Sequence, residues 1–151
     1  MPTVVTGIEA LRQLADTDLG ASHWQEITQE RVNAFADATD DHQWIHVDPE
    51  RAVAGPFGGT IAHGYLTVSL LIPLWTEILH IEGIAMAVNY GFNRLRFPGP
   101  VPVGSHIRLR ARVGPVDDVP NGVQLTVAFT VEVKGVDKPA LVAEAVYRYL
   151  V

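Results

Sequence analysis

Cysteine is absent from the 151 residues, which excludes a disulfide scaffold and a cysteine-ligated zinc site. Basic residues are scarce too: 11 Lys and Arg stand against 17 Asp and Glu, for a formal net charge of -6, and no basic run occurs. Without a cationic patch the chain has little with which to neutralise phosphates, so neither nucleic acid nor an anionic membrane surface is an expected partner. Charge of either sign is missing from Ala52 to Thr76. This gap is no membrane span: its first half is Gly-rich and holds Pro56 and His63, and the apolar part from Tyr65 to Trp75 falls short of the ~20 residues a bilayer requires. The first residues, MPTVVTGIEALRQLADTD, have no basic stretch ahead of an apolar one and carry Glu9 inside the one apolar segment. They do not read as a secretory signal, and a cytoplasmic location is expected.

With 48% hydrophobic residues, a chain of this length buries roughly 68–70% of its unfolded surface and suits one domain, residues 1–151. Helical periodicity comes first along the chain. A short amphipathic piece spans Ile8 to Leu14, and His23–Ile27 is a candidate strand. Thr28 is placed as an N-cap before QERVNAFADAT, with Glu30 in the first turn, so a helix is predicted to about Thr39. Asp40 and Asp41 follow at its C-terminal end, where the helix dipole disfavours acids. Asp48-Pro49-Glu50 repeats the start signal for a short helix through about Ala54. From about His63 to His80 the chain is apolar nearly all round, as in a helix enclosed by protein on most sides, and Pro73 is expected to bend or divide it.

Beyond Gly83 the period changes to two. Ile107, Leu109, Ala111 and Val113 alternate with His106, Arg108, Arg110 and Arg112; Val123, Leu125, Val127, Phe129, Val131 and Val133 alternate with mostly polar partners. These are half-buried strands, joined by Asn121-Gly122 and by the Lys134-Gly135 region to a further strand at Leu141–Leu150, and Ala85–Tyr90 supplies one more. One buried helix with a run of antiparallel strands defines an α+β domain in which the sheet wraps the helix.

The reactive side chains crowd between Phe35 and Gly64. FADATDDHQWIHVDP holds Asp40, Asp41, His42, His46 and Asp48 at a helix-to-loop transition, where a turn can bring a carboxylate and an imidazole onto one water. The same residue types suit plain capping and turn roles, and composition does not choose between them. GPFGGTIAHG leads to Gly64 at the start of the long helix, where free N–H groups favour developing negative charge; close packing of helix on sheet would equally call for glycine. Two His and an acid can hold zinc, but His42 and His46 are separated by Trp44 and Ile45 beyond the helix end, and no further ligand pattern follows, so no metal is expected. Ser22, Ser69 and Ser105 lack the G-x-S-x-G context of a hydrolase nucleophile.

FADATDDHQWIHVDPERA followed by GPFGGTIAHGYLTVSLL, with the later NYGFNRLRFPGPVPVGS, resembles the MaoC-like dehydratases, the (R)-specific enoyl-CoA hydratases, over most of the chain. The D-H-Q-W-I-H pattern is similar to a mycobacterial-type and nodulation-protein-N-like subset. The resemblance implies a hot-dog fold, a long central helix wrapped by an antiparallel sheet, and reversible addition of water to trans-2-enoyl thioesters giving (R)-3-hydroxyacyl thioesters. The family motif, approximately G-D-x-N-P-x-H, makes Asp41 and His46 the catalytic pair; its A-H-G matches Ala62-His63-Gly64, with the Gly64 N–H as oxyanion donor. Three positions depart from it: Asp40 replaces Gly, Gln43 replaces Asn as a positioning amide, and Trp44 replaces Pro near the acyl chain. Gln43, Trp44 and His63 are accordingly expected at the substrate, and Arg94 and Arg96 at the phosphates of coenzyme A, which is part of the substrate rather than a cofactor. The substrate is an acyl thioester of coenzyme A or of an acyl-carrier protein, and a homodimer is expected. A hot-dog thioesterase and a non-catalytic acyl-thioester binder are the alternatives.

Overall fold

The apolar segment before Ile78 folds as the longest helix, and the alternating segments that follow form the sheet that covers it. The computed structural model describes residues Met1–Val151. In chain order its elements are β1 (Thr3–Thr6), α1 (Gly7–Arg12), β2 (Asp18–Ala21), β3 (Gln25–Glu26), α2 (Gln29–Thr39), α3 (Trp44–Val47), α4 (Pro49–Val53), α5 (Gly64–Ile78), β4 (Leu79–Glu82), β5 (Met86–Arg96), β6 (His106–Val119), β7 (Gly122–Val133) and β8 (Leu141–Leu150). The main sheet runs β2-β6-β7-β8-β5, with β3 also on β6, and all of its pairs are antiparallel. A separate parallel pair joins β1 to β4, Thr3 opposite Leu79 and Thr6 opposite Glu82. No helix is long and apolar enough to cross a membrane.

Burial follows the sequence pattern. Alternate residues of β7, from Val123 to Val133, are buried, as are Ile107 to Val113 on β6 and Leu141, Ala143, Ala145, Tyr147 and Tyr149 on β8. They meet Leu66, Leu70, Leu71, Leu74, Trp75 and Ile78 of α5 in one continuous core. Trp75 enters with its polar edge satisfied, Nε1 donating to the Tyr149 hydroxyl at 2.9 Å, as a buried indole requires.

Several expectations need correction. Helix α5 ends at Ile78, two residues early, because Leu79 and His80 turn extended to pair with β1. Pro73 does not divide it: the carbonyl left without a helical donor is that of Ser69, on the exposed side of the helix. The helix is also less enclosed than its composition suggests, since Tyr65, Ser69, Ile72 and Thr76 form an exposed stripe. Strands β1, β2 and β4 escaped the sequence reading, and β5 runs on to Arg96, six residues past the expected end at Tyr90. The caps were legible: Thr28 accepts from the Arg31 N–H at 3.1 Å and Asp48 from the Arg51 N–H at 3.1 Å.

The β7 turn sets a steric limit. Asn121 takes a left-handed φ of 66°, and a Cβ on Gly122 would lie 2.0 Å from the Tyr149 carbonyl oxygen. Gly122→Ala is expected to part β7 from β8 at this end and to destabilise the fold by about 1–3 kcal/mol, read as a fall of several degrees in Tm.

Candidate active site

The two residues that the family resemblance singles out, Asp41 and His46, come together through main-chain geometry. Helix α2 ends at Asp40, which adopts φ 59°, ψ 26°. This is the left-handed conformation that glycine favours and aspartate tolerates, so the Gly-to-Asp departure is accommodated. The Asp41 N–H then bonds back to the Ala36 carbonyl at 3.2 Å, turning the chain so that Asp41 is presented at the rim of a cavity. One helical turn, α3, follows and aims His46 inward, where it is only 6% exposed. Gln29, at the start of α2, fixes this turn from behind: its amide donates to the His46 carbonyl at 2.7 Å and its oxygen accepts from Thr60 Oγ1 at 2.6 Å. Sequence reasoning missed Gln29, which has no motif and works only through contacts distant in the chain.

His46 is fixed in one tautomer. Its Nδ1 lies 2.7 Å from the Ile61 carbonyl oxygen; a carbonyl only accepts, so Nδ1 carries the proton and the Nε2 lone pair is free. Burial pushes the imidazole below its ordinary range and the neighbouring His63 acts in the same direction, while the Ile61 hydrogen bond and the Asp41 charge pull back. The net direction is downward, which keeps His46 unprotonated, its Nε2 lone pair available, at neutral pH.

A cavity of about 330 Å³ is lined by Asp41, His46, His63, Gly64, Tyr65 and Phe97. Gly64 is the first residue of α5, and its N–H meets no acceptor in the protein, as expected of a first-turn donor. A Cβ at this position would sit 3.1–3.3 Å from the Phe97 ring, so glycine also serves the packing here. A carboxylate, a neutral imidazole with a free lone pair and an unused N–H at the positive end of a helix thus face one space.

The structure brings Asp41, His46, His63 and Gly64 together and leaves the other expected site residues outside. Gln43 is the exposed N-cap of α3, its carbonyl accepting from the His46 N–H. Trp44 lies beneath the Arg51 guanidinium, 4.3 Å from its ring centroid, and against Gly55; it lines no part of this cavity. The reason is helical: two residues apart on α3, Trp44 and His46 point about 200° apart. Arg94 and Arg96 are exposed at the end of β5, and neither enters an ion pair. His42 pairs with Asp37 at 2.9 Å and Asp48 caps α4, so these two do not gather around His46.

The trio that does gather is Asp41, His46 and His63, with potential ligand atoms all within 4.8 Å of one another. Its geometry suits an ion poorly. The two imidazoles are stacked, centroids 3.9 Å apart and planes 25° apart, so their in-plane lone pairs run side by side rather than converging at the 2.0–2.1 Å that zinc–nitrogen bonds demand. The geometry instead suits one water held between an acid and a base.

A long helix covered by an antiparallel sheet, with an acid–imidazole pair over the helix N-terminus, defines the hot-dog class that carries this site. The chain belongs to the MaoC like domain family, matched over residues 11–135. It is 56% identical over 141 residues to the 3-hydroxyacyl-thioester dehydratase Z of Mycobacterium tuberculosis (strain ATCC 25618 / H37Rv), covering 93% of each chain. It is 43% identical over 138 residues to nodulation protein N of Rhizobium meliloti (strain 1021), covering 86% of this chain and 83% of that one. Among solved structures, the (R)-hydratase from A. caviae involved in PHA biosynthesis superposes with a TM-score of 0.70 at 25% identity, over 85% of this chain and 93% of that one.

The electrostatics give a direct expectation. In an NMR titration the His46 ring should show a midpoint below the ordinary 6.5. Asp41→Asn should lower it further, since the carboxylate is one of the two influences that raise it.

Proposed function

We infer that the protein is a hydro-lyase, a 3-hydroxyacyl-thioester dehydratase that runs reversibly as an (R)-specific enoyl-CoA hydratase. The observation that carries this reading is the single cavity shared by Asp41, His46 and the Gly64 N–H; family membership and the 56% identity to a 3-hydroxyacyl-thioester dehydratase support it. Hydration of a trans-2-enoyl thioester needs a base for water, a proton at the α-carbon and a donor for the enolate-like oxygen. His46 Nε2 takes the proton of a water that the Asp41 carboxylate orients. The water oxygen adds to the β-carbon, one proton reaches the α-carbon from the pair, and the net change is one water. The Gly64 N–H faces the thioester oxygen, a role worth about 10²–10³ in kcat for one such donor. Arg94 and Arg96, unpaired and exposed on the strand that leads to Phe97, meet the phosphates of coenzyme A.

The active form is a homodimer. Strand β5 pairs only with β8, so its outer edge is open, and it exposes Met86, Tyr90 and Phe92 at 53%, 59% and 40%. The exposed stripe of α5, with Tyr65 at 72% and Ile72 at 37%, adds to this apolar surface. An open edge bearing large apolar side chains is what a second copy would cover. Light scattering at micromolar concentration should give twice the chain mass; a fully active monomer would refute the dimer.

The reaction is tested by following loss of the conjugated enoyl-thioester absorbance across acyl lengths, with chiral analysis of the product. The (R)-3-hydroxyacyl thioester is expected; free thiol without hydration would replace this reading with a thioesterase. Asp41→Asn and His46→Ala should each lower kcat by roughly 10²–10⁴, with melting curve and thioester binding close to wild type.

A further inference from the structure

His63 is the one member of the cluster for which water addition has no chemical use, and it is the most deeply placed, at 2% exposure. Its Nε2–H donates to the main-chain carbonyl of Asp41 at 2.9 Å. That carbonyl is the second main-chain polar group of Asp41, the N–H already being held by the Ala36 carbonyl. The flat face of the same ring lies on His46, centroids 3.9 Å apart, and Phe35 backs it with centroids 4.9 Å apart. His63 also directly precedes Gly64 as the N-cap residue of α5. One imidazole therefore touches or adjoins all three groups of the site, while only a sliver of it, 2% of its surface, is exposed.

Its second nitrogen makes the case sharper. With Nε2 carrying the proton, Nδ1 is an acceptor, and it is the only buried side-chain nitrogen or oxygen in the protein without a partner. An unpaired buried acceptor is a net loss, and a phenylalanine would fill the same space beside Phe35 without it. What phenylalanine lacks is the Nε2–H bond to Asp41.

We propose that His63 is a positioning residue, a buried clamp that locks the Asp41 main chain to the His46 ring at the start of α5. This role is separate from the substrate contact that its place in the A-H-G motif implies. The clamp rests on the hydratase reading only for its effect on rate; the clamp itself is a structural property measurable without substrate.

Two variants separate the parts. His63→Phe keeps ring, stacking and burial but removes the donor; His63→Gln keeps a donor of similar reach and removes the ring. His63→Leu replaces the phenylalanine variant should that one not fold. His63→Phe is expected to lower kcat by about 10²-fold, as for a small misplacement of reacting groups, with KM within a few-fold and Tm at or above wild type. His63→Gln is expected to recover most of that loss. Hydrogen exchange over residues 40–43 should quicken in the phenylalanine variant and return towards wild type in the glutamine one. Wild-type kcat in His63→Phe, a glutamine variant no better than phenylalanine, or unchanged exchange over 40–43 would each overturn the clamp. A wild-type protein that hydrates no enoyl thioester would instead defeat the functional reading and leave the exchange measurement to decide this one.

Discussion

Helix α5 has no charged side chain from Gly64 to Thr76, and taking its leucines and Trp75 out of water requires the long strands β6 to β8 laid against it. Most other features follow from that demand. The strands alternate because one face must meet the helix and the other the solvent. The helix N-terminus cannot be buried along with the side chains, since its first-turn N–H groups have no partners within the helix. It is therefore left at the rim of the sheet, under the segment from α2 to α4, and the site forms there. The apolar core thus determines where a polar donor becomes available.

Around that rim each contact that fixes the site has a main-chain atom on at least one side. His46 is fixed by the Ile61 carbonyl, Asp41 by the Ala36 and His63 contacts, and the turn between them by Gln29. Main-chain partners survive side-chain substitution nearby, which explains how Asp40, Gln43 and Trp44 can replace the usual Gly, Asn and Pro without displacing Asp41 or His46. Asp40 sustains the left-handed turn, Gln43 contributes its carbonyl, and Trp44 turns away to pack beneath Arg51.

What could be read from the sequence was local. Thr28 and Asp48 announce their helices because a cap acts within three residues, and β6 and β7 announce themselves because alternation is visible inside one strand. Strands β1, β2 and β4, of four residues each, are too short for a pattern, and their identity comes from partners far along the chain, as Asp18 lies opposite Arg112. The same division holds at the site. Asp41, His46 and Gly64 were carried over from the family resemblance, and one cavity unites them. The stacking of His63 on His46 was not, because it depends on two loops meeting across a sequence separation that neither motif encodes. Trp44 was placed near the acyl chain by the family resemblance, whereas the direction of a single helical turn points it away from this cavity and under Arg51.

The parallel pair β1–β4 bears on the order in which the molecule assembles. Its partners, Thr3 to Thr6 and Leu79 to Glu82, are separated by 76 positions, so β1 has no mate until α5 has been made in full. Loops of that span close late, since their entropy must be met before the contact returns anything. The β6–β7–β8 meander, by contrast, joins neighbours through short turns and can form early. Strand β1 is in effect a latch, closing on a helix and sheet already in place.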